Sequence, residues 1–331
     1  MPYLARIAAL CLLLGLSTAH ATTFKIATIA PDGTGWMREM RAGAKQVEKE
    51  TQGRVKFKFY PGGVMGNDDA VMRKIRVGQL HGGAFATTGL TNIYKDAALY
   101  SYPLQFRNLT EVDYVRSRMD AQLANGLEAG GMVPLGFSEG GFTYLMGQEP
   151  IESVDDLEGK KVWVPEDDPI NENAIKNAGV TPVPLPFSDV YTGLQTGLID
   201  TVAAVPTGAI AFQWHTKLKS LADVPLNYIL GALVVSKRSF SKLSAEDQQT
   251  VRKIMGEVFT RLNRINRQDN QKAREALRNQ DIVFTQLSAE EQAEWRAMAD
   301  KAINDLRSSG LYTPAVLDEM RRHIKAARNQ P

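Results

Sequence analysis

From residue 24 the chain alternates short apolar runs with amphipathic stretches. Phe24 to Ile29 predicts a strand, and the loop from Pro31 to Gly35 ends it. Trp36, Met40, Ala44 and Val47 then recur at helical spacing, with a stop near Gly53. Val55 to Tyr60 sets Val and Phe against Lys in strict alternation, the pattern of a half-buried strand. Pro61-Gly62-Gly63 breaks it, and Asn67 is placed to cap a helix ending at Gly78. Gly83 to Ala86 reads as a short buried strand running into Thr87, Thr88 and Gly89.

A second block repeats the style. Lys160 to Val164 predicts a strand ended by Pro165, and Asn171 to Ala178 a helix closed by Gly179. Pro182 to Pro186 holds too many prolines for a central strand and is expected at an edge. Ser188 is placed to cap a short helix through Gln195, closed by Gly197. Ser244 opens a long helix whose Val251, Ile254, Met255, Val258, Phe259, Leu262 and Ile265 share one face, with an end near Arg278. Ser288 with Glu291 predicts a capping box, and Thr313 with Pro314 opens a terminal helix. Strand–helix alternation predicts α/β architecture with mainly parallel sheets. Two such blocks and a helix long enough to cross both predict a two-lobed clamshell with a long connecting helix. Lobe I is expected over 22–141 plus about 229–268, and lobe II over 142–228 plus about 269–331. Ligands of open α/β sheets bind beyond the carboxyl ends of the strands, so the cleft is the expected site.

Composition narrows the function. With 331 residues, 44% hydrophobic and 23% charged, the chain has the balance of a globular protein and length for two domains. A net charge of +2, without a run of five or more like charges, offers no nucleic-acid stripe. Residues 1–21 have the order of a secretory signal: Arg6, an apolar stretch from Ile7 to Leu16, then Ala19-His20-Ala21. That stretch is shorter than the roughly 20 residues that span a bilayer, so cleavage after Ala21 and a periplasmic location are expected. Cys11, the one cysteine, lies inside the signal, which leaves no disulfide or thiol chemistry behind it. The four histidines, His20, His81, His215 and His323, show no metal spacing. No nucleophile elbow or P-loop occurs, and the glycines of Gly131 to Gly141 lack dinucleotide spacing. Glu166, Asp167 and Asp168 read as a solvated turn, and His215 as a packed or surface side chain. These readings point to no cofactor, no metal and no enzyme.

The middle block resembles TRAP transporter substrate-binding proteins of the DctP type. The resemblance rests on Val164-Pro165, on Gly179-Val180-Thr181-Pro182-Val183-Pro184 and on Phe187-Ser188-Asp189-Val190-Tyr191. Leu194-Gln195-Thr196-Gly197-Leu198-Ile199-Asp200 follows in the family's order, and Tyr60-Pro61-Gly62-Gly63-Val64-Met65-Gly66 is similar to its upstream turn. The resemblance runs along nearly all of the chain after the signal. It implies a two-lobed periplasmic receptor that hands an organic acid to the subunits of a membrane permease. It also implies an arginine just before the Val-Pro pair that binds the ligand's carboxylate.

Here that position is Trp163. A second basic position of the family falls at Phe142, Thr143 and Tyr144, and its polar asparagine at or beside Ala204. The expected ligand is therefore apolar, aromatic or amphipathic, not a simple C4 dicarboxylate, because a buried carboxylate without a partner is strongly disfavoured. Trp163, Phe142, Tyr144 and Ala204 are expected to line the cleft, joined by Phe187 from the matched motif. Trp36 and Trp214 are candidate aromatic walls, with Phe85 beside them, and Thr87 and Thr88 lie at a strand end facing the cleft. Organic-acid binding through substitute bases such as Lys74 or Lys95, and a sensory receptor on the same fold, are the alternatives. The expected partners are a small molecule and the permease, with the receptor a monomer.

Overall fold

A computed structural model of the chain describes residues 21–166 and 168–330, without the side chain of Thr88. The predicted signal, Cys11 and Asp167 lie outside the described residues.

The first half builds a sheet from the N-terminal elements. These are β1 (Thr22–Thr28), α1 (Gly35–Glu50), β2 (Val55–Tyr60), α2 (Asp68–Arg76), β3 (Gly82–Phe85), α3 (Thr87–Thr91), α4 (Leu109–Ala129) and β4 (Met132–Phe142). The second half holds β5 (Tyr144–Gly147), β6 (Val162–Pro165), α5 (Pro169–Asn177), β7 (Pro182–Leu185), α6 (Val190–Thr196), β8 (Thr201–Ala204), α7 (Pro206–Ala211) and β9 (Ser220–Ala222). The chain then returns through β10 (Tyr228–Ser236), α8 (Lys237–Phe240), α9 (Ala245–Arg278), β11 (Val283–Thr285), α10 (Ala289–Asp305) and α11 (Pro314–Arg328).

Two sheets form, in the orders β2-β1-β3-β10-β4 and β11-β9-β5-β8-β6-β7. β1, β2 and β3 are parallel, with Phe24 opposite Phe57 and Ile26 opposite Phe59. β10 and β4 pair antiparallel beside them. The proline-rich β7 takes an edge, where its missing N–H groups cost no ladder bond. The chain passes from the first sheet to the second between Phe142 and Tyr144, and returns between Ala222 and Tyr228.

The long helix makes a third link. Ser244 caps it, accepting from the Asp247 N–H at 3.1 Å. Its predicted stripe is buried from Val251 to Leu262 against Phe24, Val133, Leu135 and Leu233. Each such side chain contributes on the order of 1.5–3 kcal/mol. Close approach is built in: a Cβ on Gly43 of α1 would lie 2.6 Å from Val258, and one on Gly136 of β4 would lie 2.1 Å from Phe259. Beyond Leu262 the stripe turns polar. Asn263 accepts from the Glu139 N–H at 2.9 Å and donates to Phe137 O at 3.0 Å. Asn266 and Asn270 donate to Glu139 O and Gly140 O, each at 2.8 Å. β4 is an edge strand, and these amides satisfy backbone groups that would otherwise lack partners.

Three local expectations change. Ser188 does not cap α6; Asp189 occupies that position, and Ser188 Oγ donates to the Asp189 carboxylate at 3.0 Å. Asp168 belongs to no solvated turn. It is half-buried and caps α5, accepting from the Asn171 N–H at 3.2 Å and from the Asn171 amide at 2.8 Å, so the helix begins at Pro169. Burial pushes the Asp168 carboxyl up. Finally, 269–331 does not stay together in the second half. α10 packs on α5, but α11 lies along α4 beside the first sheet. Its Leu317, Met320 and Ile324 share a core with Val112, Val115 and Met119, and Arg328 pairs with Glu111 at 2.9 Å.

Candidate ligand cleft

The carboxyl ends of β1 and β3 and the loop after β2 enclose a narrow cavity. Thr28, Ile29, Gly63, Met65, Asp68 and Phe85 line it. The Gly62 and Gly63 N–H groups donate to Ala30 O and Thr28 O, both at 3.0 Å, and Lys74 Nζ donates to Met65 O at 2.6 Å. Lys74 thus holds this loop. Lys95 reaches Gly310 O on the C-terminal side at 3.4 Å. Burial pushes the Asp68 carboxyl up to about 6, and the charge of Asp69 adds to the shift.

On the second sheet, strand alternation sends Trp163 to one face and Val162 to the other. Trp163 is 5% exposed. Its Nε1 donates to Leu185 O at 3.1 Å. Its ring stands edge-on to Trp214 at 5.4 Å and to Phe187 at 5.9 Å. Phe187 meets Phe212 at 4.7 Å in the same way. Such edge-to-face pairs add about 0.5–1.5 kcal/mol each beyond their buried area. Tyr144 and Ala204 are partners across β5 and β8 and belong to the same cluster. The Arg274 guanidinium lies 4.5 Å from the centre of the Tyr144 ring and pairs with Asp223 at 2.6 Å. Burial pushes the Tyr144 phenol up, and Arg274 opposes it. Arg274 Nη1 is buried without a hydrogen-bond partner among the described residues.

The remaining expected site residues pack with the first sheet. Trp36 is half-buried against the core that α9 covers. Phe142 stands edge-on to Tyr228 at 5.2 Å. The Thr87 hydroxyl is engaged by Ser101 Oγ at 2.6 Å and Leu230 O at 2.9 Å, which leaves it internally satisfied. Trp163, Phe187, Trp214, Tyr144 and Ala204 are therefore together, and Trp36, Phe142 and Thr87 stand apart from them.

The returning link carries a polar clasp that residue patterns did not show. Thr143 N–H donates to Asn227 O at 2.8 Å, and Asn227 N–H donates to Thr143 Oγ1 at 3.1 Å. The Asn227 amide also donates to Ser101 O at 2.6 Å and to Asn171 Oδ1 at 2.8 Å. The clasp thus joins both links to segments of both halves.

Two sheets linked three times, with an aromatic cluster on one and strand ends on the other, form a receptor's frame. Residues 26–309 match the family model of bacterial extracellular solute-binding protein, family 7, the DctP family. The chain belongs to that family. It is 26% identical over 252 residues to the C4-dicarboxylate-binding periplasmic protein DctP of Rhodobacter capsulatus, covering 75% of each chain. It is 25% identical over 268 residues to the 2,3-diketo-L-gulonate-binding periplasmic protein YiaO of Escherichia coli, covering 79% of this chain and 78% of that one. The solved sugar acid binding protein DctPAm of Advenella mimigardefordensis, in complex with galactonate, superposes with a TM-score of 0.85 at 19% identity, over 93% of this chain and 99% of that one. A TRAP periplasmic solute-binding protein of Xanthobacter autotrophicus with bound β-D-galacturonate gives 0.82 at 21% identity, over 92% and 99%. This DctP-family chain thus has the two-lobed α/β fold of TRAP receptors. The family consists of solute-binding receptors, not catalysts, and works with TRAP permeases in the periplasm. No helix among the described residues is long and apolar enough to cross a membrane.

Proposed function

We propose that this TRAP receptor is exported by cleavage after Ala21, acts as a monomer, and captures a ligand through an apolar or aromatic moiety rather than two carboxylates. The observation that carries the reading is Trp163. It stands where the family resemblance expects a carboxylate-binding arginine, and its neighbours are Trp214 and Phe187. The cation stacked on Tyr144 of the same cluster, Arg274, is already committed to Asp223. A charge-assisted hydrogen bond contributes about 1.5–3 kcal/mol. Without the arginine, a C4 dicarboxylate loses about tenfold to over a hundredfold in affinity.

A second reading has its own support. Arg274 keeps a buried Nη1 without a partner, and relatives are named for acids, among them C4 dicarboxylates and 2,3-diketo-L-gulonate. On that reading a carboxylate reaches Arg274. A thermal-shift screen followed by calorimetry separates the two. The first reading expects hits among aromatic or amphipathic compounds, weakened in Phe187→Leu. Micromolar binding of succinate, malate or fumarate overturns it, and loss of that binding in Arg274→Gln establishes the second.

A further inference from the structure

A cavity of about 360 Å³ opens where the two halves meet. Leu104, Phe106 and Arg107 line it from the segment before α4, Val224 and Pro225 from the returning link, and Gln292 and Arg296 from α10. Leu104 and Val224 belong to the core that holds Val162, on the opposite face of the second sheet from Trp163. The cavity is therefore separate from the aromatic cluster. Its volume falls within the roughly 300–1,000 Å³ of small-molecule sites.

Its charge is one-sided. Two guanidinium groups line it and no carboxylate does. Arg107 is exposed, and its guanidinium has no ion-pair or hydrogen-bond partner among the described residues. Among the described residues Arg296 donates only to Gln292 Oε1, at 2.9 Å. Burial and the positive charges of Arg107 and Arg328 make Arg296 hold its proton less tightly. Three acids of the surrounding elements already have cationic partners, and the Glu111 charge also acts on Arg296. Glu111 accepts from Arg328 at 2.9 and 3.1 Å and from the Arg107 N–H at 2.9 Å. Asp223 is held by Arg274 and Arg278, and Asp300 by Arg321 at 2.8 Å. Arg107 and Arg296 repel each other, Glu111 offsets that repulsion only in part, and an anion between them relieves it. Guanidinium forks match the oxygens of carboxylate and phosphate.

We propose that this cavity is a second binding site, for a small polyvalent oxyanion held between Arg107 and Arg296, distinct from the site of the transported ligand. The bound anion joins the segment before α4 to α10 across the returning link. The proposal is independent of what the aromatic cluster binds.

The test is calorimetry on the whole chain at low salt with inorganic phosphate, pyrophosphate and citrate. At least one is expected to bind saturably, more weakly as salt rises. Preference for pyrophosphate identifies a phosphate site, and preference for citrate a carboxylate site. Arg107→Gln and Arg296→Gln are each expected to weaken binding about tenfold or more. Arg296→Lys keeps the charge, loses the fork and is expected between wild type and Arg296→Gln. Arg261→Gln, at an exposed ion pair with Glu39 elsewhere, is expected to leave binding unchanged. Absence of binding by all three anions overturns the proposal. So does binding that survives in the folded Arg107→Gln, Arg296→Gln double variant. Binding lost in Arg274→Gln but kept in that double variant assigns the anion to the transport cleft and overturns it as well.

Discussion

At Trp163 one side chain both faces an aromatic cluster and completes a core. Its indole N–H satisfies the Leu185 carbonyl, and its ring is packed on two sides. Trp163→Ala is therefore expected to cost about 3–5 kcal/mol of stability. Loss of ligand binding in that variant would report unfolding as readily as a lost contact. Trp163→Phe keeps an aromatic face and removes the N–H, at about 1–3 kcal/mol for the orphaned carbonyl. Urea denaturation of the two variants checks both values. Asp68 makes a different case. A carboxyl raised to about 6 in the fold, from 3.8, binds more protons folded than unfolded between those values. Its ionisation therefore lowers stability as pH rises from about 4 to 6. Asp68→Asn is expected to stabilise the protein by about 1–3 kcal/mol at pH 7.5 and to change little at pH 4. A thermal midpoint for Asp68→Asn at or below wild type at pH 7.5 would contradict this. Sequence placed Trp163 by its motif, yet its burial arises from Trp214 and Phe187, which are distant in the chain. The sequence around Asp68 carries no sign of this, because an acid at a helix start ordinarily sits in water at the positive end of the dipole.

Among the elements, α9 shows which half of a pattern is readable. The apolar stripe from Val251 to Leu262 declares a buried helix face by periodicity alone. Beyond it the sequence predicts helix to about Arg278 with Ile265 on the same face, and gives Asn263, Asn266 and Asn270 no partner. Those amides are used instead on the backbone of β4, more than 120 residues away in sequence. No local pattern carries a pairing of that range. Asn270 does more: its Oδ1 also accepts from the Thr207 N–H at 3.2 Å and from Thr207 Oγ1 at 2.9 Å, so one amide touches β4 and α7. Asn270→Ala is expected to destabilise the protein by about 1–3 kcal/mol, since it orphans groups on both sides. Asn270→Asp is the informative companion: it keeps the acceptor for Thr207 and loses the donor to Gly140 O. Hydrogen exchange at the Thr207 amide is expected to rise in the alanine variant and stay protected in the aspartate variant. Equal exchange in both would remove Asn270 from this role. The proline-rich edge strand β7 was legible for the opposite reason, because the missing N–H groups act at their own positions.

For the whole molecule, the two-lobed plan was legible because it follows from the order of strands and helices along the chain. The position of α11 was not, since an amphipathic helix shows that it has an apolar face without showing which partner covers it. That helix returns to α4 and closes the first lobe's core. The lobes are then joined by two extended links, by α9 and by the segment between α10 and α11, with the Thr143–Asn227 clasp where the extended links meet. Rotation of one lobe against the other about these links is the motion expected of two such bodies. A ligand touching both lobes favours the closed state by the difference in its affinity for the two states. Small-angle scattering with the tightest compound from the thermal-shift screen is expected to show a smaller radius of gyration than the free protein. Thr143→Gly in the clasp removes the hydroxyl that the Asn227 N–H uses and relaxes the link. That variant is expected to bind the same compound more weakly while still compacting at saturation. An unchanged scattering envelope at saturating ligand would mean that the lobes do not close, and that the ligand is held by one of them alone.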